Sequence, residues 1–167
     1  MKRCILLFSL LFLLPLLFSC TGEGGYDPLS FRAPPCSFSG TAKTADGKKT
    51  DFTVSFDAEG TLSLTVTSDG ALKGAVYTRT ENGTVLVKDG ITLPLRGDPA
   101  ILGIFSVFSL SRPDLISTER RDGTVPLLLL TFPDAVLTLR EDSRLPCRFQ
   151  TGGTDFTVRD FLTNSDL

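Results

Sequence analysis

Few residues in this 167-residue chain can do covalent or acid–base chemistry. It has no histidine, so the commonest general base and the usual metal ligand are missing. A Ser-His-Asp triad and Cys-His catalysis are excluded with it. Four cysteines remain: Cys4, Cys20, Cys36 and Cys147. Asp and Glu are spread over turns, seven of the 19 beside Gly, where they serve turn geometry. Two close carboxylate pairs, Asp57/Glu59 and Glu141/Asp142, read as solvated loop ends rather than as the acid and base of a glycosidase. No GxSxG elbow, P-loop, HExxH or GxGxxG motif follows the first nineteen residues. With no Trp and only Tyr26 and Tyr77, the surface for stacking sugars is thin. The chain is therefore expected to have no catalytic residues, no metal and no cofactor.

The cysteines differ by context. Lys2 and Arg3 precede a nearly uninterrupted apolar run from Ile5 to Phe18, too short for a spanning helix of about 20 residues. A basic start and a small residue at the end make residues 1–19 a secretory signal, excluded from the fold together with Cys4. The run closes on Leu17-Phe18-Ser19-Cys20, which resembles the lipobox of bacterial lipoproteins: a large aliphatic residue three before the cysteine and a small one just before it. Phe18 is bulkier than the residue usual there. The resemblance implies that Cys20 carries diacylglycerol in thioether linkage, becomes the mature N-terminus and holds the protein outside the cytoplasm, on the cell membrane or the outer membrane. Two or more acyl chains give stable anchoring. An ordinary secretory signal in which Cys20 is incidental is the alternative.

Removing Lys2 and Arg3 leaves 15 basic residues against 19 acidic ones, a net charge of −4. Lys48-Lys49 and Arg120-Arg121 are pairs at turns, and no basic stripe of the kind nucleic acid requires is present. Residues 20–35 hold three Gly and three Pro and form a flexible tether in which Leu29 and Phe31 are able to dock. Residues 36–162 suit a single domain, residues 163–167 form a tail, and a monomer is expected.

That domain reads as a meander. Phe52, Val54 and Phe56 alternate with Thr53 and Ser55; Leu62, Leu64 and Val66 alternate with Ser63 and Thr65. Period two with one wet face indicates antiparallel strands. Asp46-Gly47, Asp57-Ala58-Glu59-Gly60, Asp69-Gly70, Asn82-Gly83 and Asp89-Gly90 are hairpin turns. Further strands are expected near 73–80, 84–88, 91–95, 115–121, 124–131, 135–140, 144–150 and 155–161. Val125 to Leu130 does not alternate, so it needs cover on both faces or leaves one face sticky.

Between strands lies GDPAILGIFSVFSLSRPD. Asp98 can cap, Pro99 suits a first helical turn and Pro113 stops the run. Ile101, Ile104, Phe105 and Phe108 follow an α-helical i, i+3, i+4, i+7 spacing, and only Gly103, Ser106 and Ser109 interrupt the apolar surface. A helix near 99–110, apolar nearly all round, belongs in the concave face of the sheet. Cys36 lies in phase with Phe38, and Cys147 with Leu145 and Phe149. Both are expected to point inward, which permits a disulfide between the first and a late strand; two buried thiols are the alternative.

About 10–11 antiparallel strands curved around one apolar helix near 99–110, a mainly β incomplete barrel, resemble the LolA/LolB/LppX group of lipoprotein carriers and lipid-binding lipoproteins. ITLPLRGDPAILGIF and the final DFTVRDF carry the likeness, at the level of architecture. The resemblance implies an apolar cavity for a lipid, an acyl chain or lipidated cargo. On that reading its walls are Phe52, Val54, Phe56, Leu62, Leu64 and Val66, and its lid is Ile101, Ile104, Phe105 and Phe108. The family's leading amphipathic helix has no counterpart in residues 21–35. The competing reading is a filled core and a non-catalytic interaction module of the cell envelope.

Overall fold

In the computed structural model, which describes residues 27–120 and 124–163, alternation becomes eleven antiparallel strands in one open, curved sheet. Six precede the helix: β1 (Cys36–Lys43), β2 (Lys49–Phe56), β3 (Leu62–Val66), β4 (Val76–Thr80), β5 (Gly83–Lys88) and β6 (Ile91–Pro94). Five follow it: β7 (Leu115–Glu119), β8 (Leu127–Phe132), β9 (Ala135–Arg140), β10 (Pro146–Thr151) and β11 (Thr154–Leu162). Each pairs with its neighbour in sequence, as short turns dictate. Asp89-Gly90 turns with both residues at positive φ, 50° and 77°, the geometry that matches hairpin twist.

The long-range step is the pairing of β1 with β11, which fuses the two meanders at the centre of the sheet. The free edges are β6 and β7, and the segment between them crosses the concave face. Two cross-strand ladders line that face. Phe38, Val54, Leu64, Tyr77, Leu86 and Leu93 run from β1 to β6. Ala42, Phe156, Phe149, Leu137, Leu130 and Ile116 run from β1 to β7. The ladder centres are buried, whereas Leu93 and Ile116 at the two rims are about half exposed.

Two features depart from the sequence expectation. The crossing segment is a 3₁₀ helix, Ala100–Ser109, rather than an α-helix. At three residues per turn, Gly103, Ser106 and Ser109 form one ridge, joined by Ser106 Oγ to Gly103 O (2.7 Å) and Ser109 Oγ to Ser106 O (3.0 Å). Every other position from Ile101 to Leu110 is apolar, so the other two ridges are continuous.

Second, Cys36 and Cys147 are free thiols. β11 lies between β1 and β10, so the two cysteines are at least two strand spacings apart, about 9–10 Å, beyond disulfide reach. A bulge at Pro146–Arg148 also breaks the parity: Pro146 and Phe149 face inward, and Cys147 Sγ lies 3.5 Å from Thr138 O. The chain also packs before Cys36: Leu29 and Phe31, the two tether residues able to dock, flank and lie within a short 3₁₀ turn at Ser30–Arg32 and are buried in the core.

On β8, Leu128 and Leu130 enter the core while Leu127 and Leu129 lie half-buried on the convex face. This resolves the non-alternating run as one inward face and one sticky outer face.

Candidate functional site

The helix is held to the concave face by its side chains and by a clasp at each end. Leu102, Ile104, Phe105 and Val107 are buried, and the helix packs on β10 and β11. At its start, Asp98 pairs with Arg79 of β4 and accepts a hydrogen bond from Thr84 Oγ1 at 3.2 Å. The Arg79 guanidinium lies 5.2 Å from the centroid of the Phe105 ring, within cation–π range. At its end, Arg32 Nη1 donates to the carbonyls of Phe108 (3.3 Å) and Leu110 (2.5 Å), while Nε donates to Leu29 O (3.1 Å). The last carbonyls of a helix have no partner within it, and a cation is favoured there. Burial lowers the Arg32 pKa against the opposing pull of Asp27. The same guanidinium thus ties the segment arriving from the N-terminus to the helix that fills the sheet.

Among the residues expected to line a cavity, Phe52, Val54, Leu64, Val66, Ile104 and Phe105 are buried. Phe56, Leu62, Ile101 and Phe108 are half-buried. The structure brings them together as one cluster. Phe56 meets Phe108 edge-on at 5.0 Å; Phe38 stacks on Phe108 at 6.3 Å and on Phe161 at 5.3 Å; Phe52 meets Phe38 and Phe156. Phe161 joins because β11 bulges opposite Ser37–Ser39, with Asp160 at φ 49°, and its facing switches. Five well-formed clefts of the described residues have none of the ten in their lining.

The cleft that reaches the concave rim lies at the helix end. It holds about 720 Å³, between Asp27–Arg32 on one side and Leu110–Ile116 on the other. Pro28, Leu29, Leu110, Pro113 and Ile116 give it apolar walls; Arg32, Arg112, Asp27 and Asp114 give it matched charges. Sequence reasoning missed this cleft, because its two sides are some eighty residues apart and are bridged by Arg32, a pairing that no local pattern signals.

The carboxylate pairs serve turns. Asp57 Oδ1 accepts the Thr61 N–H at 2.7 Å. Asp142 accepts the Ser143 N–H at 2.6 Å, which, with Arg140 at 3.5 Å, lowers its pKa. Among the described residues no His/Cys/Asp/Glu group of three or more is placed to hold a metal. On the convex face the charges are interleaved: Arg148 holds Asp155 through two bonds of 2.8 and 2.5 Å, and Arg159 bonds Thr41, which bonds Asp51.

The Cys36 thiol, fully buried at the start of β1, is pushed up to about 11 by desolvation of its thiolate. In the unfolded chain it ionises near 9.0, so the thiol's contribution to stability is complete below about that pH and is lost as pH rises toward 11. Urea unfolding of the wild-type and Cys36→Ala chains should show the wild type losing ground by up to about 1.4 kcal/mol per pH unit in that window. Parallel pH profiles would mean that Cys36 is solvated.

No protein-family model matches the chain, and no curated protein sequence matches it. Among solved structures, an uncharacterized conserved protein from Thermus thermophilus is similar in fold, with a TM-score of 0.50 at 14% identity over 83% of this chain and 84% of that one. The LolA superfamily protein NE2245 from Nitrosomonas europaea matches with a TM-score of 0.44 at 12% identity, over 82% of this chain and 90% of that one. MucB, solved in complex with MucA(peri), matches with a TM-score of 0.44 at 19% identity, over 80% of this chain and 52% of that one.

Proposed function

We propose that this chain is a non-catalytic, extracytoplasmic binding module, held to a bacterial membrane through Cys20 and engaging its partner from the outside of a filled core. Leu17, Ser19 and Cys20 lie outside the described residues, so the anchor rests on the leader. The observation that carries the module reading is the packing of the concave face. Phe52, Val54, Leu64, Ile104 and Phe105 spend their surface on one another, where a pre-formed ligand site would keep an apolar hollow of some 300 Å³ or more.

A second reading keeps the apolar ligand, a lipid, an acyl chain or lipidated cargo, and makes the helix its gate. It is favoured by the way the helix is mounted: polar clasps at both ends, Arg79–Asp98 and Arg32, with apolar side chains between. Such a segment can leave as a unit, and the residues beneath it would then be the ligand wall.

Native mass spectrometry of a soluble form that begins at Thr21 and so lacks the acylated cysteine, purified without detergent and then offered phospholipid, separates the two. The module reading expects a mass that is apo and stays apo. A lipid bound near unit stoichiometry would replace it with the gated carrier.

A further inference from the structure

Both free edges of the sheet are exposed on both faces: β6 carries Ile91 and Leu93 at 61% and 52% accessible, and β7 carries Leu115 and Ile116 at 58% and 53%. They differ in that the start of the described chain lies beside β7. Ile116 continues the inward ladder through Leu130, and Leu115, one residue off, faces outward beside the half-buried Leu129. Apolar residues of this size on an unpaired edge strand invite association unless something covers them.

The position of the chain's start says what that is. Ile116 and Asp27 line the same cleft. Cys20 stands seven residues before Asp27. A lipid on Cys20 therefore holds Asp27 within about 25 Å of the bilayer surface even with the intervening chain fully extended, and the β7 edge lies across one cleft from it. Leu29, Phe31 and Arg32 fix that departure point rigidly to the domain.

We infer that β7 is a membrane-docking edge: Leu115 and Ile116 seat in the headgroup–acyl boundary of the bilayer that carries the anchor, with the exposed Arg112 at headgroup level. The inference rests on the anchored reading of Cys20. Two guanidinium groups and two carboxylates line the adjoining cleft, so the attraction is apolar rather than coulombic and needs no anionic lipid. Arg112 contributes by extending its stem along apolar surface with its charge in the wet layer.

Hydrogen–deuterium exchange on the acylated mature chain in phosphatidylcholine nanodiscs tests this, with the Cys20→Ser chain in solution as reference. The amides of residues 114–119 should exchange about tenfold more slowly on the disc, the factor that 1.4 kcal/mol of net apolar burial supplies. β3 at Leu62–Val66 should be unchanged. The double variant Leu115→Asp, Ile116→Asp should stay on the disc through its lipid and lose that protection. A disc-bound chain whose β7 exchanges at the solution rate overturns the docking and leaves the anchor standing. A chain that does not co-elute with discs overturns the anchor and the docking together. Protection that grows with the number of chains per disc assigns the edge to a second copy and overturns the bilayer as its occupant.

Discussion

Phe105→Asp is expected to leave the chain unfolded in the absence of denaturant, while Phe105→Leu stays folded with a modest loss. Phe105 is 1% exposed at the middle of the helix. A carboxylate there would be buried, short of hydrogen-bond donors and far from water. Arg79 lies above the ring, yet its guanidinium is already paired with Asp98, so a new carboxylate would have to share its single positive charge with the first. An unpaired buried charge costs several kcal/mol, and the aromatic packing is lost besides, against a total domain stability of about 5–15 kcal/mol. Leucine keeps most of the apolar volume, which limits its cost to about 1.5 kcal/mol, plus roughly 0.5–1 for the cation–π contact. Circular dichroism through a urea titration reads both. A Phe105→Asp chain that unfolds at the same urea concentration as Phe105→Leu would place the helix on the surface, and the filled-core reading would go with it.

The strands were legible because period two and turn chemistry agreed at nearly every joint. Phe52-Thr53-Val54 and Leu62-Ser63-Leu64 each face as their alternation indicates, and Asp89-Gly90 turns where it stands, whereas the expected Asn82-Gly83 turn falls one residue earlier, at Glu81-Asn82, with Gly83 already paired to Thr80. The failures share a cause: parity counts residues, and a bulge adds one. Cys147 sits in such a bulge, as does the Asp160–Phe161 step, so the predicted inward Cys147 turns sideways and Phe161 turns in. Pro146, which has no N–H to donate to a ladder, was the available signal. The helix was found but its pitch was misread. Ile101, Ile104, Phe105 and Phe108 fit an α-helix, whereas Gly103, Ser106 and Ser109 at strict threes fit a 3₁₀ helix, and the second pattern was the decisive one.

The candidate site was legible only in part. That the concave residues gather beneath the helix follows from alternation; whether they leave a hollow is a matter of volumes, which alternation does not carry. The rims show this most clearly. Leu93 and Ile116 have the same inward parity as Val54 and Leu137, but the helix covers only the middle of the sheet, and the two end residues are left to solvent. A sequence assigns a face to each residue. Cover for that face comes from an element elsewhere in the chain, here one too short to reach both edges.

Gly40 is the position where sequence reasoning gave least warning and where the expected effect is again large. It lies buried on β1, opposite Phe52 of β2 and Val158 of β11. A Cβ at this point would sit 2.5 Å from the Thr157 carbonyl oxygen and 2.8 Å from Phe52 Cζ. The phenyl ring can rotate away; the carbonyl belongs to the β11 ladder and can move only if the strand does. Replacing a strand glycine by alanine ordinarily stabilises, by roughly 0.5–1 kcal/mol, through lost backbone freedom in the unfolded chain. Here the overlap dominates, and Gly40→Ala should destabilise by about 3 kcal/mol, Gly40→Val by more. The joint it disturbs is the one long-range strand pairing, β1 with β11, on which the union of the two meanders depends. Adding Phe52→Leu should recover only the part of the loss owed to the ring, since the clash with Thr157 remains. Chemical unfolding of the three variants decides this: a stabilised Gly40→Ala, or complete rescue by Phe52→Leu, would mean that β11 yields at that carbonyl and that the centre of the sheet is softer than its packing indicates.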